Sequence, residues 1–258
     1  FQCRIKYPAQ PPGGVPRSLR GTATPFSYND LPGFRDAIRG GEVAAIVMEV
    51  ERSVPPNPGF IEEIRRTATE IGAVLIFDEC TSGFRQVLGG HHLTLGISPD
   101  IAIFGKTLGN GYAINAVVGR ESVMAAIDRT FISSTFWTER LGPAAAIAAL
   151  EEMEVSRAPQ EVYKLGQRLR AGLKDVATSQ GFELQASGLP ALTRVEVEGV
   201  DPALLKRFIS QKLLDRNILG GTAFYLALPH NEHMALFLEI MHEIFGELRE
   251  SLSSGEMT

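Results

Sequence analysis

The sequence predicts an α/β protein in which a mainly parallel sheet, covered by helices, is followed by a smaller α+β domain. Two observations indicate this fold class. In the first half of the chain, apolar runs of strand length alternate with stretches that have helical spacing. In the second half, longer amphipathic helices dominate and strand-like runs are few. A hydrophobic fraction of 44% over 258 residues is sufficient for a substantial buried core.

The first predicted domain comprises residues 1–142. It contains four apolar runs of strand length and two stretches with helical spacing, each of which predicts one element. The predicted strands lie at 43–50, 73–77, 101–104 and 116–118, and the predicted helices at 59–71 and 121–127. Alternation of strands and helices in this order favours a largely parallel sheet with helices on its faces.

The second predicted domain comprises residues 143–258 and begins with a linking helix. Pro143 suits a first helical turn, and the Ala-rich stretch after it predicts a helix that ends near Glu154. Further helices are predicted at 160–176, 204–214 and 232–252, and strand-like runs at 192–197, 218–219 and 224–228. Helices that are separated from short strands in this way predict an α+β unit.

Composition and charge disfavour several classes of function. The formal charge of -5 and the absence of a basic stripe disfavour nucleic-acid binding. No apolar stretch approaches the roughly 18 residues of a membrane span, and no signal peptide is recognisable, so we expect a cytoplasmic protein without a membrane partner. Cys3, Cys80 and the adjacent His91 and His92 lack metal-ligand spacing, so no metal site is predicted.

Two charged residues follow two of the predicted strands. Asp78 comes directly after the run at 73–77, and Lys106 follows the run at 101–104 with one glycine between. Because open α/β sheets bind ligands at the carboxyl ends of their strands, we expect both side chains to lie in one crevice. A buried lysine can become a nucleophile, and a carboxylate can pair with a protonated ring nitrogen. Proteins hold pyridoxal phosphate in this way, so the pair suggests a pyridoxal enzyme.

The residues alone leave alternatives open for this pair. A single Asp or Lys at a strand end is usually a solvated edge residue. Lys106 without a cofactor could serve a Schiff-base lyase, although Asp78 would then have no clear role. Nucleotide binding and serine-hydrolase chemistry are disfavoured, because the sequence has no dinucleotide fingerprint, no phosphate-binding lysine loop and no Gly-x-Ser-x-Gly elbow.

Four motifs carry a resemblance to a known family. They are Phe77-Asp78-Glu79-Cys80-Thr81-Ser82-Gly83-Phe84-Arg85, Ser98-Pro99-Asp100-Ile101, Phe104-Gly105-Lys106-Thr107-Leu108-Gly109-Asn110-Gly111 and Val118-Gly119-Arg120. In this order, and with 28 residues from Asp78 to Lys106, they resemble the class III aminotransferases, and within these the glutamate-1-semialdehyde aminomutase-like branch. The resemblance covers residues 26–248 and implies a pyridoxal-phosphate-dependent transferase of fold type I.

The resemblance also implies roles for four residues. Lys106 would form a Schiff base with pyridoxal 5'-phosphate and move a proton, and Asp78 would keep the ring nitrogen protonated. Cys80 takes the position of a branched aliphatic residue that contacts the ring face. Thr135 matches a threonine that reaches the cofactor phosphate of the neighbouring subunit, which implies a homodimer with shared active sites. The expected activity is amino-group transfer between small amine or amino acid donors and carbonyl acceptors, as an aminotransferase or a 2,1-aminomutase.

The sequence departs from the family pattern in two respects. After Glu49, Val50 replaces the proline of the family's Glu-Pro strand end. The family's Ser/Gly-rich phosphate loop and its ring-stacking aromatic residue are not found, so we expect that roughly the amino-terminal third of the fold is missing from this sequence. A catalytically silent homologue that serves as a structural or subunit-interaction partner is therefore the alternative to an enzyme.

Overall fold

The computed structural model describes residues 16–19, 21–133 and 135–255. The predictions that concern Cys3 and most of the Pro/Gly-rich opening segment lie outside these described residues. The chain divides into two compact units. The first holds the residues up to Val50, 56–83 and 89–147, and the second holds 51–55, 84–88 and the residues from Ala148 onward.

The first unit contains a four-stranded sheet whose strand order is that of the chain. Its strands are β1 (Ala45–Glu49), β2 (Val74–Asp78), β3 (Ile101–Phe104) and β4 (Ala116–Gly119). The first three strands are parallel, and β4 pairs antiparallel with β3. The register places Asp78 of β2 beside Glu49 of β1 and beside Ile103 of β3. The carboxyl ends of the three parallel strands therefore meet at one edge of the sheet.

Among the described residues, four short or medium helices lie entirely within the first unit. They are α1 (Leu31–Ala37), α2 (Phe60–Ile71), α3 (His92–Leu95) and α4 (Glu121–Met124). Asp30 caps α1, because its side chain accepts a hydrogen bond of 2.9 Å from the backbone N–H of Gly33. The helix predicted at 121–127 is shorter than expected, since α4 continues as a 3-10 turn over Ala125–Arg129.

One face of the sheet packs against α1 and α2. The buried side chains of this core are Phe34, Ile46, Met48, Val50, Phe60, Ile61, Ile64, Ala68, Ala73, Leu75 and Phe77. Burial alternates along β1 and β2 with a period of two, which is the pattern of a strand with one face in the core. Full burial of a large apolar side chain contributes roughly 1.5–3 kcal/mol, so this core keeps the strands in register.

Asp100, which directly precedes β3, joins several elements of the first unit. Its Oδ2 accepts hydrogen bonds from Leu75 N of β2 at 2.8 Å and from Arg65 Nη1 of α2 at 2.9 Å. Its Oδ1 accepts from Arg120 Nη1, next to β4, at 2.7 Å. Burial alone would raise the pKa of Asp100, but the Leu75 N–H and the two guanidinium groups outweigh it and lower the pKa. Asp100 is thus a charged clamp on the sheet.

The second unit is built from long helices and a small sheet. The division between the units falls inside α5 (Leu141–Ser156), after Ile147, whereas the sequence placed it before Pro143. The remaining helices are α6 (Ala158–Ser179), α7 (Pro202–Leu214) and α8 (His230–Ser253), and the strands are β5 (Leu184–Ser187) and β6 (Arg194–Val197), paired antiparallel.

Some strand predictions for this unit are wrong. The strand expected at 192–197 begins only at Arg194, because Pro190–Leu192 forms a 3-10 turn. Strand β5 was not predicted. The runs at 218–219 and 224–228 do not form strands. Thr222, Phe224 and Leu226 nevertheless form backbone hydrogen bonds with residues 191–195.

The core of the second unit lies among α6, α7, α8 and the small sheet. Its buried side chains are Leu165, Leu169, Leu173, Ala177, Leu184, Val195, Val197, Leu205, Ile209, Leu213, Met234, Met241, Ile244, Phe245 and Leu248. Gly166 allows a close approach in this unit, because a Cβ there would lie 2.1 Å from the backbone oxygen of Pro190. The apolar positions follow helical spacing, which explains why the sequence predicted these helices.

Two further properties concern the described part of the chain as a whole. None of its helices combines the length and the apolar character that crossing a bilayer requires. Within the same residues, no group of three or more His, Cys, Asp or Glu side chains is placed to hold a metal ion.

Candidate active site

The two charged residues that the sequence singled out lie at the same edge of the first unit's sheet. Asp78 is the last residue of β2, and Lys106 follows β3 after Gly105. Because β2 and β3 are paired and parallel, with Asp78 opposite Ile103, both side chains start from the carboxyl ends of adjacent strands. The Asp78 side chain is half-buried and Lys106 is exposed. This edge is where open α/β sheets bind ligands.

The turn after β2 holds the carboxylate of Asp78 in place. Its Oδ1 accepts a hydrogen bond of 3.0 Å from the backbone N–H of Cys80. The backbone N–H of Glu79 donates to Ile103 O at 2.8 Å and so continues the pairing with β3, while Gly83 N donates to Glu79 O at 2.8 Å and closes the turn. A short acidic side chain that bonds the backbone two residues on is a common turn device, and here it orients the carboxylate.

Lys106 has an unusual backbone conformation. Its φ is 45°, in the left-handed region that a residue with a side chain rarely occupies. Such strain persists only where the surrounding structure enforces it, and it clusters at functional sites. The Lys106 Nζ donates a hydrogen bond of 3.2 Å to Thr81 Oγ1, and Thr81 is buried. The amine is therefore oriented by the turn that follows Asp78.

Gly105 allows the chain to pass close to two other side chains before it reaches Lys106. A Cβ at this position would lie 2.3 Å from Asn115 Oδ1 and 3.3 Å from Cys80 Sγ. The first distance is well inside van der Waals contact, so any side chain at residue 105 would displace Asn115. The backbone in front of Lys106 is thus confined by the side chains of Asn115 and Cys80.

Cys80 lies within electrostatic reach of both charged residues. Burial raises the pKa of its thiol, and the Asp78 carboxylate, to which the thiol hydrogen-bonds, raises it further. The nearby Lys106 ammonium acts in the opposite direction, and Glu49 adds a smaller effect of the same sign as Asp78. The thiol is therefore neutral near pH 7. Its surroundings show that Asp78, Cys80 and Lys106 form one cluster.

Thr135, the fourth predicted site residue, lies in another segment of the first unit, between β4 and α5 in the chain. It is exposed, in a turn that precedes α5, and none of the contacts described above includes it. The residues around it are unusually apolar for a surface, since Phe131 is 94% exposed, Phe136 76% and Trp137 67%.

Sequence reasoning did not single out Thr81 or Asn115. Thr81 follows Asp78 by three residues, so its place in the strand-end turn was a usable signal. The approach of Asn115 to Gly105 had no local signal, because it depends on the return of the chain into β4.

The residues at this edge fit pyridoxal phosphate. The cofactor needs an amine for its aldehyde carbon and a carboxylate for its ring nitrogen. Lys106 supplies the amine and Asp78 an oriented carboxylate, both in the first unit and both in contact with the turn at 78–83. The strained backbone of Lys106 and the confinement of Gly105 indicate a site that is built to place this amine.

Comparison with known proteins identifies the family. The family model described as aminotransferase class-III matches residues 30–242. The chain is 31% identical to the 3-aminobutyryl-CoA aminotransferase of Cloacimonas acidaminovorans, over 93% of this chain and 62% of that protein. It is 32% identical to the glutamate-1-semialdehyde 2,1-aminomutase of Desulforapulum autotrophicum, over 92% of this chain and 58% of that protein. The chain therefore spans less than two thirds of the length of these relatives.

Solved structures agree with the predicted fold. The PLP internal aldimine form of the FumI protein of Sphingopyxis sp. MTA144 matches with a TM-score of 0.87 at 24% identity, over 93% of this chain and 61% of that one. The β-phenylalanine aminotransferase of Variovorax paradoxus matches with a TM-score of 0.76 at 26% identity, over 89% of this chain and 57% of that one. These matches confirm the prediction of fold type I, and the family model together with the curated relatives shows that this chain belongs to the class III aminotransferases.

Proposed function

We propose that the complete protein uses pyridoxal 5'-phosphate to transfer an amino group between an amine or amino acid and an aldehyde or keto compound. The reaction would be that of an aminotransferase or a 2,1-aminomutase. The observation that carries this proposal is the cluster of Asp78, Cys80 and Lys106 at the carboxyl ends of β2 and β3. Among the curated relatives, the names include both aminotransferases and aminomutases, which supports the reaction class but selects no substrate.

The residues of the cluster have separate tasks in this proposal. When bound, pyridoxal phosphate supplies an electron-accepting ring, which allows a proton to leave the carbon that bears the amino group. Lys106 would hold the cofactor through its amine, and its Nζ would accept and return that proton. Asp78 would keep the ring nitrogen protonated, and Cys80 would contact the ring. The Thr81 hydroxyl, 3.2 Å from Lys106 Nζ, orients the amine.

Labelling of the lysine tests this proposal directly. The complete protein should gain a visible absorbance band with pyridoxal phosphate, and borohydride should attach the cofactor covalently to the peptide that contains Lys106, as detected by mass spectrometry. Lys106→Ala should abolish the label, whereas the exposed Lys174→Ala should not. A wild-type protein that stays colourless, or a label that persists in Lys106→Ala, would contradict the assignment. The colourless result would instead support a structural role.

We also propose that the protein is a homodimer in which Thr135 binds the phosphate of the cofactor held by the other subunit. Support comes from the exposed aromatic residues Phe131, Phe136 and Trp137, since an apolar surface of this kind is usually covered by a partner. In such a dimer each site combines Lys106 of one subunit with Thr135 of the other.

Subunit mixing tests the shared site. Lys106→Ala and Thr135→Ala subunits are each inactive or weak alone. If Thr135 acts across the dimer, a mixed dimer has one site with both residues intact, so refolding an equal mixture should restore about a quarter of the wild-type sites. No restoration in verified mixed dimers would show that Thr135 acts in its own subunit or not at all.

A further inference from the structure

A fully buried carboxylate lies directly after Asp78. Glu79 has no exposed surface, and three hydrogen-bond donors converge on its two oxygens. The Ser82 hydroxyl donates to Oε2, while the backbone N–H of His92 and its ring Nδ1 each donate to Oε1 at 2.8 Å. An ionised carboxylate only accepts, so with Glu79 in that form the ring Nδ1 is the donor in this bond. We call Glu79, Ser82 and His92 the Glu79 cluster.

The Glu79 cluster joins residues that lie before and after a short segment of the second unit. The chain leaves the first unit after Gly83, and the five residues 84–88 belong to the second unit. It re-enters the first unit at Gly89, three residues before His92. Ser82 lies before this segment and His92 after it, so their shared bonds to Glu79 hold the two ends together.

The Glu79 cluster is closely packed. A Cβ on Gly83 would lie 2.8 Å from Glu79 O, and a Cβ on Gly90 would lie 2.3 Å from His92 Nδ1 and 2.9 Å from Glu79 Oε1. The ring of His92 also packs against Phe77 of β2, with centroids 6.0 Å apart. Burial of the carboxylate without these donors would be costly, so the donors determine where Glu79 can lie.

The cluster is directly connected to the candidate active site. Asp78 precedes Glu79 in the chain, and Thr81, whose hydroxyl accepts from Lys106 Nζ, follows it by two residues. A shift of Glu79 would therefore move both the carboxylate and the hydroxyl that contact the site. Supporting groups of this kind commonly change the affinity of a site by an order of magnitude when they are removed.

We propose that the Glu79 cluster positions Asp78 and Thr81 for the cofactor, a role that rests on the proposed function. Ser82 and His92 act through Glu79 and are positioning residues rather than catalytic ones. His92 is the informative member, because its ring supplies one of the three donors and can be replaced without altering the backbone N–H that supplies another.

Two substitutions at His92 form a matched pair. His92→Leu removes the ring donor, whereas His92→Asn places an amide N–H close to where Nδ1–H lies in histidine. Two local properties report on the site in the complete protein. One is the rate at which iodoacetamide alkylates Cys80 in the cofactor-free form, followed by mass spectrometry of its peptide. The other is the dissociation constant of pyridoxal phosphate. Thermal unfolding, measured in parallel, reports on overall stability.

In His92→Leu we expect the Cys80 alkylation rate and the dissociation constant each to rise about tenfold, because a buried carboxylate that loses a donor moves its turn. His92→Asn should stay within about threefold of the wild type in both. If His92→Leu lowers the unfolding temperature but changes neither local property by more than about twofold, the cluster only stabilises the fold and the proposal is wrong.

Two further outcomes remain decisive. If His92→Leu does not fold, Ser82→Ala removes a single donor and should raise both values several-fold, and unchanged values would overturn the proposal. If the wild-type protein does not bind pyridoxal phosphate at all, the proposed function fails, but the Cys80 rate in the cofactor-free protein still decides whether the cluster holds the turn.

Discussion

Removal of the Asp100 charge should destabilise the first unit by an amount that depends on what replaces it. Asp100→Asn should lower the free energy of unfolding by about 1–2 kcal/mol, and Asp100→Ala by about 3–5 kcal/mol. Both substitutions act on the clamp that joins α2, β2 and β4 to the start of β3.

The hydrogen-bond partners determine these magnitudes. Oδ2 of Asp100 accepts from Leu75 N and Arg65 Nη1, and an asparagine oxygen can keep both bonds without their charge assistance. The bond from Arg120 is lost, but that side chain is 65% exposed and can turn to water. Alanine removes all three bonds and leaves the buried N–H of Leu75 without this acceptor, which explains its larger cost.

Denaturant unfolding at several pH values, followed by circular dichroism, measures the effect. The pKa of Asp100 is lower in the folded protein than in the unfolded chain, where it is about 3.9. The charge therefore contributes its full stability above the unfolded pKa, and this contribution is lost as the pH falls through the folded pKa. The difference between the wild type and Asp100→Asn should be largest at pH 6–7 and should shrink in strong acid.

Asp128→Asn, at an exposed position in the same unit, is the matched control and should change stability by no more than about 0.5 kcal/mol. A difference between the wild type and Asp100→Asn that is independent of pH would refute the reasoning, because it would show that the charge of Asp100 does not stabilise the fold.

Three further predictions concern local packing and the thiol. Gly105→Ala should weaken binding of pyridoxal phosphate and lower stability by about 1–3 kcal/mol, because its Cβ would lie 2.3 Å from Asn115 Oδ1. Adding Asn115→Ala removes this clash and should recover part of both losses. Gly166→Ala should lower the unfolding temperature, because its Cβ would lie 2.1 Å from the backbone oxygen of Pro190. Gly246→Ala is the control, because Gly246 also lies in a helix but a Cβ there would have no contact closer than 3.7 Å. This control substitution should raise stability by up to about 1 kcal/mol. Burial raises the pKa of the Cys80 thiol above that of an ordinary thiol, which is near 8.5. Its alkylation in the cofactor-free protein should therefore accelerate only at a pH above that value. Acceleration at a lower pH would show that the thiol is not in the buried environment described above.

Local pattern was sufficient for the elements that bury a regular face. Strands β1, β2 and β3 are apolar runs of strand length, and α2 and α6 carry apolar residues at helical spacing, so the sequence predicted all five near their observed bounds. Strand β5 buries only Leu184 fully, and its other residues give no alternation that could be recognised. The apolar run at 224–228 predicted a strand, but residues 222–226 form only a few backbone hydrogen bonds with 191–195, and such pairing depends on a partner that is distant in the chain.

The candidate site likewise has some features that the sequence predicts and others that depend on the tertiary structure. The sequence by itself determined the fold class and family, and it predicted Asp78 and Lys106 as site residues, because strand ends and motif spacing are properties of short stretches of chain. Only the tertiary structure decided that Gly105 lies against Asn115, and that the buried carboxylate of Glu79 meets His92 across thirteen residues. These contacts depend on where the chain returns after residues 84–88 and after β3, and that return is set by the packing of the whole unit rather than by any local preference.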